Sequence, residues 1–536
     1  MECSAIKDKA DSPPAGNAQR NSSDHLFLCH FKKRVTFALN FCFQIPQPML
    51  FNSIDFAVFL PIVFFLYWFV AGRSVRAQNV VIVLSSFIFY GWWDWRFLGL
   101  LLFSSLVDFF VGLVLRRENR PDRRKILLGI SVALNLGLLG YFKYFNFFID
   151  NFNEAFTFFG HPFRSEAMHI ILPVGISFYT FQSMSYGIDV YRRKLEPTTD
   201  VISFLAFVSF FPQLVAGPIE RATHLLPQFF RNRTFDYNRA VDGTRLILWG
   251  FFKKIVIADN CSPYVNDIFA NYAQYSGGTL VLGAVLFAFQ IYGDFSGYSD
   301  MAIGLSRLFG FDLMRNFRYP YFARNIADFW QRWHISLTTW FRDYLYIPLG
   351  GSHGGMWLTV RNVFIVFLVS GFWHGAKWTF VFWGLVNALL FLPLLLRGTN
   401  KLPLQRIEKQ HLLPSIKEFF QMALTFGLVT FAWIFFRAEN LEHAFLYIGH
   451  IFTSGEFFKI RSALTYEVSI IPLAFYIVFL MLVEWFSRYS EHVVNDFLLQ
   501  QKTTAVGLRY AFYFLVLLLV ILNVKNEASD FIYFQF

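Results

Sequence analysis

The apolar residues of this chain arrive in blocks of roughly 17 to 25, the length a helix needs to cross ~30 Å of hydrocarbon at 1.5 Å per residue, and no other feature constrains the fold as much. Inside hydrocarbon no water satisfies the backbone, so a spanning segment must close its own hydrogen bonds, and blocks of this length do so as helices. Thirteen stretches qualify: 54–72, 77–93, 97–115, 126–149, 170–190, 200–216, 245–258, 278–293, 358–373, 377–396, 416–436, 467–486 and 507–524. Several are short or interrupted by polar residues. That predicts about ten to twelve true crossings, the remainder being re-entrant or interfacial helices. Composition agrees, since of 536 residues 55% are hydrophobic and only 15% charged, whereas a soluble chain carries about a quarter charged residues. The expected fold class is all-α, a polytopic transmembrane helical protein. No heptad run, solenoid repeat or low-complexity tract divides residues 49–536, which read as a single membrane domain.

Orientation follows from basic loops, because Lys and Arg are retained on the cytoplasmic side. The run Arg116 to Lys125 (RRENRPDRRK) is the strongest such loop, so the third span ends in the cytoplasm; the loop with Arg73 and Arg76 shares that side, and the Trp92 to Trp95 turn faces out. Residues just before the first span then face out as well, which conflicts with Lys32, Lys33 and Arg34 upstream. The simplest resolution is a start at Met49, with residues 1–48 an extension foreign to the membrane domain. The rival is a disordered cytoplasmic or signal-like tail, although its apolar stretch is too interrupted for a signal peptide. Cys3, Cys29 and Cys42 fall in that segment, leaving Cys261 as the sole cysteine beyond it and ruling out a Cys-X-X-Cys metal or redox motif there. The net charge of +11 is scattered through membrane loops and serves topology and anionic lipid headgroups, not nucleic acid.

Two histidines stand out. His374 lies between Gly371 and Gly375 in SGFWHGAKWTF, a titratable group in a stretch that otherwise reads as membrane-embedded helix, where such groups are costly and functional by default. The glycines open the backbone to close approach by a substrate or a facing helix. A structural histidine hydrogen-bonded across helices is the blander reading. His334 borders a stripe of Trp330, Trp333, Leu337, Trp340 and Tyr344, whose three- and four-residue spacing predicts one face of a single helix between Arg324 and Tyr346, punctuated by Asp328, Arg332, Arg342 and Asp343. Here the competing reading is an aromatic anchor at the interface. Neither histidine belongs to an HExxH or Cys/His ligand set, so no metal site is expected.

Two polar clusters interrupt apolar sequence, Phe210 to Phe229 and Gln290 to Phe311. Pro212, Gly217 and Pro218 break any helix in the first, which at membrane depth requires surrounding protein or a water-filled cavity. Asp294, Ser296, Tyr298, Ser299 and Asp300 of the second are candidates for lining that cavity. Scaffold hydrogen bonding is the alternative, since buried polar groups must be paired whatever the function.

The strings VAGPIER (Val215 to Arg221), GDFSGYSDMAIG (Gly293 to Gly304), FWQRWHISLTTWFRDYLYIPLGG (Phe329 to Gly351) and GFWHGAKWTFVFWG (Gly371 to Gly384) resemble those of the membrane-bound O-acyltransferases, within them the bacterial alginate-type O-acetyltransferase branch. The opening MLFNSIDFAVFLPIVFFLYW from Met49 and the ending FIYFQF resemble that branch too; residues 1–48 have no counterpart. The resemblance implies acyl transfer in the membrane of a bacterial cell, at His374 as the family's near-invariant histidine and His334 as the second histidine of the branch. It implies a ring of helices around a central tunnel where a cytoplasmic thioester, acetyl-CoA or a carrier-protein thioester, meets an acceptor from the other side. The acceptor is a polysaccharide hydroxyl or a partner acetyltransferase outside the membrane; D-alanyl or other acyl transfer to teichoic acid or another envelope polymer is the runner-up, and no bound cofactor is implied. The chemistry is coherent. A hydroxyl is a poor nucleophile at neutral pH, and an imidazole that takes its proton as it attacks a thioester contributes about 10² to 10⁴ in rate. His374 is the candidate base, and His334 orients the acceptor or stabilises the oxyanion. Trp373, Trp330, Asp294, Tyr298 and Arg332 are candidates for the tunnel wall or oxyanion contacts. A transporter or flippase is the non-enzymatic alternative, since broken helices and midplane polar residues also occur there.

Overall fold

In the computed structural model the described residues are 49–158, 170–399, 413–455, 457, 470–488, 504–525 and 531–532. The expectation about residues 1–48 falls outside them. Nineteen α-helices follow one another and no strand occurs among the described residues. In chain order they are α1 (Ile54–Phe65), α2 (Val75–Arg117), α3 (Pro121–Leu139), α4 (Phe145–Phe158), α5 (Ile176–Tyr191), α6 (Val201–Ser209), α7 (Phe211–Leu214), α8 (Ala222–Leu225), α9 (Tyr237–Phe251) and α10 (Asp259–Ala270). There follow α11 (Gly277–Leu308), α12 (Ile326–Arg332), α13 (Ile335–Phe341), α14 (Met356–His374), α15 (Trp378–Leu396), α16 (Ile416–Arg437), α17 (Leu441–Thr453), α18 (Ile470–Ser487) and α19 (Thr504–Asn523).

Among the described residues eight helical segments are long and apolar enough to cross a membrane, with Ile54–Val70 a shorter apolar helix beside them. The chain is a multi-pass helical membrane protein. The stretches 77–93 and 97–115 are joined in the 43-residue α2, which straight would measure about 65 Å, twice the hydrocarbon thickness; it bends at Asp94, whose φ of −157° and ψ of 108° are extended. The stretches at 170–190, 200–216 and 245–258 form shorter helices whose residues are largely buried in protein. Around Pro212 the chain makes only the one-turn α7 before running without helix through Pro218, as the breakers require.

The second polar cluster behaves differently, because Gln290 to Leu308 continues α11 without interruption. Its glycines serve packing. A Cβ at Gly250 would lie 2.6 Å from the carbonyl oxygen of Gly297, and one at Gly243 would lie 2.6 Å from that of Gly304. Backbones of α9 and α11 therefore touch at two points seven residues apart, the small-residue contact by which helices associate in lipid. Its carboxylates serve ion pairs. Lys253 and Lys254, on the π-helical turn Phe252–Ala258, reach Asp300 at 2.9 Å and Glu484 at 3.3 Å, and Asp294 at 2.7 Å and Asp259 at 3.0 Å. Buried charges persist only when paired in this way.

One end of the bundle can be fixed from side chains. Arg124, at the edge of the basic Arg116–Lys125 loop, donates to the carbonyls of Val190 and Tyr191 at the C-terminus of α5. Next to them Arg192 donates to the carbonyl of Asp343 at 3.1 Å, and Tyr344 donates to Asp189 at 2.7 Å. The segment Arg342–Tyr346 thus lies at the same end as the most basic loop.

Candidate active site

The polar cluster nearest the histidines begins with a broken helix. The predicted single helix between Arg324 and Tyr346 is in fact α12 and α13, separated at Trp333 and His334, with a π-helical turn over Arg342–Tyr346. His334 sits at φ 44° and ψ 52°, the left-handed region that non-glycine residues occupy only when their surroundings compel it. Here the compulsion is an extended segment laid into the gap. The N–H of Ile335 donates to the Asn316 carbonyl and the N–H of Arg318 to the Arg332 carbonyl, each at 2.9 Å, so the chain's hydrogen bonds leave the helix and return to it. Periodicity missed this because Trp330, Trp333 and Leu337 keep helical spacing across the break.

Asn316 also orients the His334 ring. Its Oδ1 lies 3.0 Å from His334 Nδ1 and accepts from Ser336 Oγ at 3.0 Å and Ser336 N at 3.4 Å, while its Nδ2 donates to Ser299 Oγ at 3.1 Å. A backbone N–H can only donate, so the atom beside it is the amide oxygen, and Nδ1 of His334 must carry the proton. The lone pair is left on Nε2. That atom is buried with no hydrogen-bond partner among the described residues.

His374 is the last residue of α14 and only 5% exposed. Its ring is held edge-on by Trp383 and Phe436, with centroids 5.2 and 5.4 Å away, and lies 6.5 Å from the ring of His334. Gly371 admits a facing helix: a Cβ there would lie 2.2 Å from the Phe380 carbonyl oxygen.

Both histidines line one cavity of about 340 Å³. Val363, Val366, Phe367, Ser370 and His374 form one wall, spaced as one face of α14; Leu337, Thr338 and Phe341 of α13, flanked by His334 and Arg342, form the other. Each wall gives the same direction. His374 is eleven residues from Val363, about 16 Å along α14, and His334 is eight from Arg342, about 12 Å along α13. The histidines therefore occupy one end of the cavity, and Arg342, Tyr346 and Ser352 the other, at the end of the bundle that carries the basic loop.

Of the further candidates, Trp330 lines the cavity and its indole N–H is buried with no partner among the described residues. Trp373 meets both histidine rings edge-on, 5.0 Å from His374 and 6.0 Å from His334, with its indole N–H in the same condition. Arg332 is turned away into an ion pair with Asp328 at 2.6 Å. Asp294 and Tyr298 do not reach the cavity either: Asp294 holds Lys254 and accepts from the N–H of Ile532 at 2.6 Å, and Tyr298 stacks on Phe51 at 4.5 Å. Helical spacing explains this, since both lie on faces of α11 turned toward the π-helical turn and the chain termini of the domain. Asn316 escaped sequence reading because it sits in an irregular segment with no pattern to mark it. Among the described residues no group of three His, Cys, Asp or Glu side chains could hold a metal ion.

A cavity lined by two histidines, one with its lone pair on Nε2, inside a multi-pass helical protein is a candidate site for transfer chemistry. The comparisons name the class. Residues 193–435 match the model of the MBOAT, membrane-bound O-acyltransferase family. The "Probable alginate O-acetylase AlgI" of Pseudomonas putida is 42% identical over 413 residues, covering 76% of this chain and 81% of that protein. The peptidoglycan O-acetyltransferase of Helicobacter pylori is 35% identical over 425 residues, covering 74% and 78%. The teichoic acid D-alanyltransferase of Bacillus subtilis is 26% identical over 315 residues, covering 54% and 75%. The chain belongs to the membrane-bound O-acyltransferase family, and it is an O-acyltransferase.

Proposed function

We propose that this enzyme O-acetylates an exported, alginate-like polysaccharide of a bacterial envelope, from the cytoplasmic membrane, with a cytoplasmic thioester as donor. The observation that carries the reading is the cavity itself, which puts His334 and His374 at one end and the exposed Arg342 at the end bearing the most basic loop. If that loop is cytoplasmic, as the retention of positive charge dictates, a thioester on a slender arm, acetyl-CoA or an acyl carrier, enters there and presents its carbonyl to the histidines. The acceptor hydroxyl, of the polymer or of a partner acetyltransferase outside, approaches from the opposite side. Names of relatives that acetylate alginate or peptidoglycan support acetyl as the group and a glycan as its destination. Lipids surround the domain and no nucleic acid takes part.

In the reaction His374 takes the hydroxyl proton as oxygen attacks the thioester carbonyl, the C–S bond breaks, and the proton passes to the departing thiolate. The tautomer of His334 selects between its two candidate roles, because Nε2 carries a lone pair and accepts a hydrogen bond from a neighbouring hydroxyl of the acceptor, orienting it while the attacking hydroxyl gives its own proton to His374. Oxyanion donation falls to the indole N–H of Trp330 or Trp373. The test is base-labile acetate on the exported polymer in cells whose sole copy is altered. His374→Ala, inserted at wild-type level, abolishes it and His334→Ala removes most of it; normal acetylation by the His374 variant overturns the reading.

A further inference from the structure

Lys143 is a cationic side chain in a segment, Pro121–Thr157, that is apolar enough to cross a membrane, and the reaction above gives it no part. Charged groups in such segments are retained for a function. Among the described residues no carboxylate lies within ion-pair distance of it. Its ammonium instead donates to two main-chain carbonyls, those of Trp373 at 2.8 Å and His374 at 3.0 Å, and lies 5.8 Å from the centre of the Trp373 ring. The next residue completes the clamp, as Tyr144 donates to the Phe372 carbonyl at 2.9 Å and stacks on the Phe372 ring at 4.2 Å.

These three carbonyls are the final ones of α14, which stops because Gly375 is extended at φ −165°. The last carbonyls of a helix have no partner within it and form the negative end of its dipole, so a cation is the fitting cap. The device that delivers the cap is local. Residues Gly140–Tyr144 form a π-helical turn between α3 and α4, and the residue inserted by such a turn re-aims the side chains around it, which is why these bulges gather at functional sites. Lys143 and Tyr144 are the last two residues of that turn, and both reach the same helix end.

We propose that Lys143 is a positioning residue for His374, its ammonium pinning the carbonyls of Trp373 and His374 so that the imidazole and the neighbouring indole keep their aim into the cavity. The proposal rests on the acyl-transfer reading. A misplacement near 1 Å of a reacting group costs about 10² in rate, whereas substrate entry past Arg342, at the far end of the cavity, is untouched.

The experiment compares the full-length protein in membrane vesicles with Lys143→Met, Lys143→Arg and His374→Ala, measuring initial acetyl transfer from acetyl-CoA to alginate oligomers per inserted molecule. The expected result is a kcat lowered about 10²-fold in Lys143→Met with KM for acetyl-CoA within about twofold. Lys143→Arg, which keeps charge and donors, recovers at least a tenth of the wild-type kcat. A wild-type kcat in Lys143→Met overturns the proposal, as does an equal loss in the Met and Arg variants when both are inserted. If Lys143→Met does not accumulate, Lys143→Arg decides: recovery supports positioning by charge, and an inserted but inactive protein refutes it. Should His374→Ala retain its rate, the reading of the reaction fails; should His374→Ala be inactive while Lys143→Met is unimpaired, only the positioning role fails.

Discussion

Replacing Asn316 with Ala tests the tautomer argument at its root, because one amide oxygen holds both the ring of His334 and the hydroxyl of Ser336, each at 3.0 Å. Two buried side-chain donors lose their acceptor, at about 1–3 kcal/mol for each left unsatisfied, so roughly 2–6 kcal/mol of destabilisation is expected from these two alone. The effect on rate is separable. If the proton stays on Nδ1 because of a hydrogen bond worth about 0.5–1.5 kcal/mol, its loss moves the tautomer ratio roughly 2- to 12-fold toward the form whose Nε2 donates. Freedom of the ring adds to this, up to the about 10² expected of a misaimed group. Initial acetyl transfer should therefore fall about 10- to 10²-fold in membranes holding equal amounts of inserted protein. Asn316→Asp restores an acceptor, though a charged one, and recovers part of the melting temperature. Unchanged transfer by Asn316→Ala would refute the assignment of the lone pair to Nε2 as a working feature of the site.

Trp330→Phe keeps an aromatic ring in the cavity wall and deletes the orphan N–H; if that group meets the oxyanion, kcat falls about 10²- to 10³-fold with the protein folded, and an unchanged kcat passes the role to Trp373. Gly371→Leu drives a side chain into the Phe380 carbonyl 2.2 Å from the Cβ position, so α14 and α15 separate and the detergent-solubilised protein melts earlier; overpacking costs about 1–3 kcal/mol, and an unaltered melting curve contradicts the packing described. Outside the spans, the hydrogen bond that His224 Nδ1 donates to Glu220 at 2.8 Å raises the His224 pKa above its ordinary value of 6.5. The folded value exceeds the unfolded one, so this stabilisation is complete below pH 6.5 and is lost as pH rises through the folded value. His224→Gln should flatten the fall in melting temperature across that window, and an unchanged slope assigns it to other groups.

What could be read in the chain and what could not divide along a physical line. Apolar length and the price of unpaired backbone act locally, so the membrane class and the breakers around Pro212 were legible in residues close in sequence, whereas eight helical segments among the described residues, not ten to twelve, are long and apolar enough to cross. His374 announced itself for the same reason, as an imidazole between glycines in an apolar helix. Contacts between distant segments leave no such trace. Helical spacing continues smoothly through Trp333, yet Asn316 laid across the gap breaks the helix at His334, and nothing near Asn316 marks it. The same limit misplaced Asp294 and Tyr298, because a run of polar residues in apolar sequence shows that partners exist without showing which. Lys254 and the N–H of Ile532 claim Asp294, and Arg332 is claimed by Asp328. What the three-dimensional arrangement adds is an account of unclaimed groups. His334 and Trp330 both line the cavity, and among the described residues His334 Nε2 and the indole N–H of Trp330 have no hydrogen-bond partner. Burying a polar group unpaired carries a cost in stability. In the proposed reaction a substrate supplies a donor to the first and an acceptor to the second, as a hydroxyl and a developing oxyanion do.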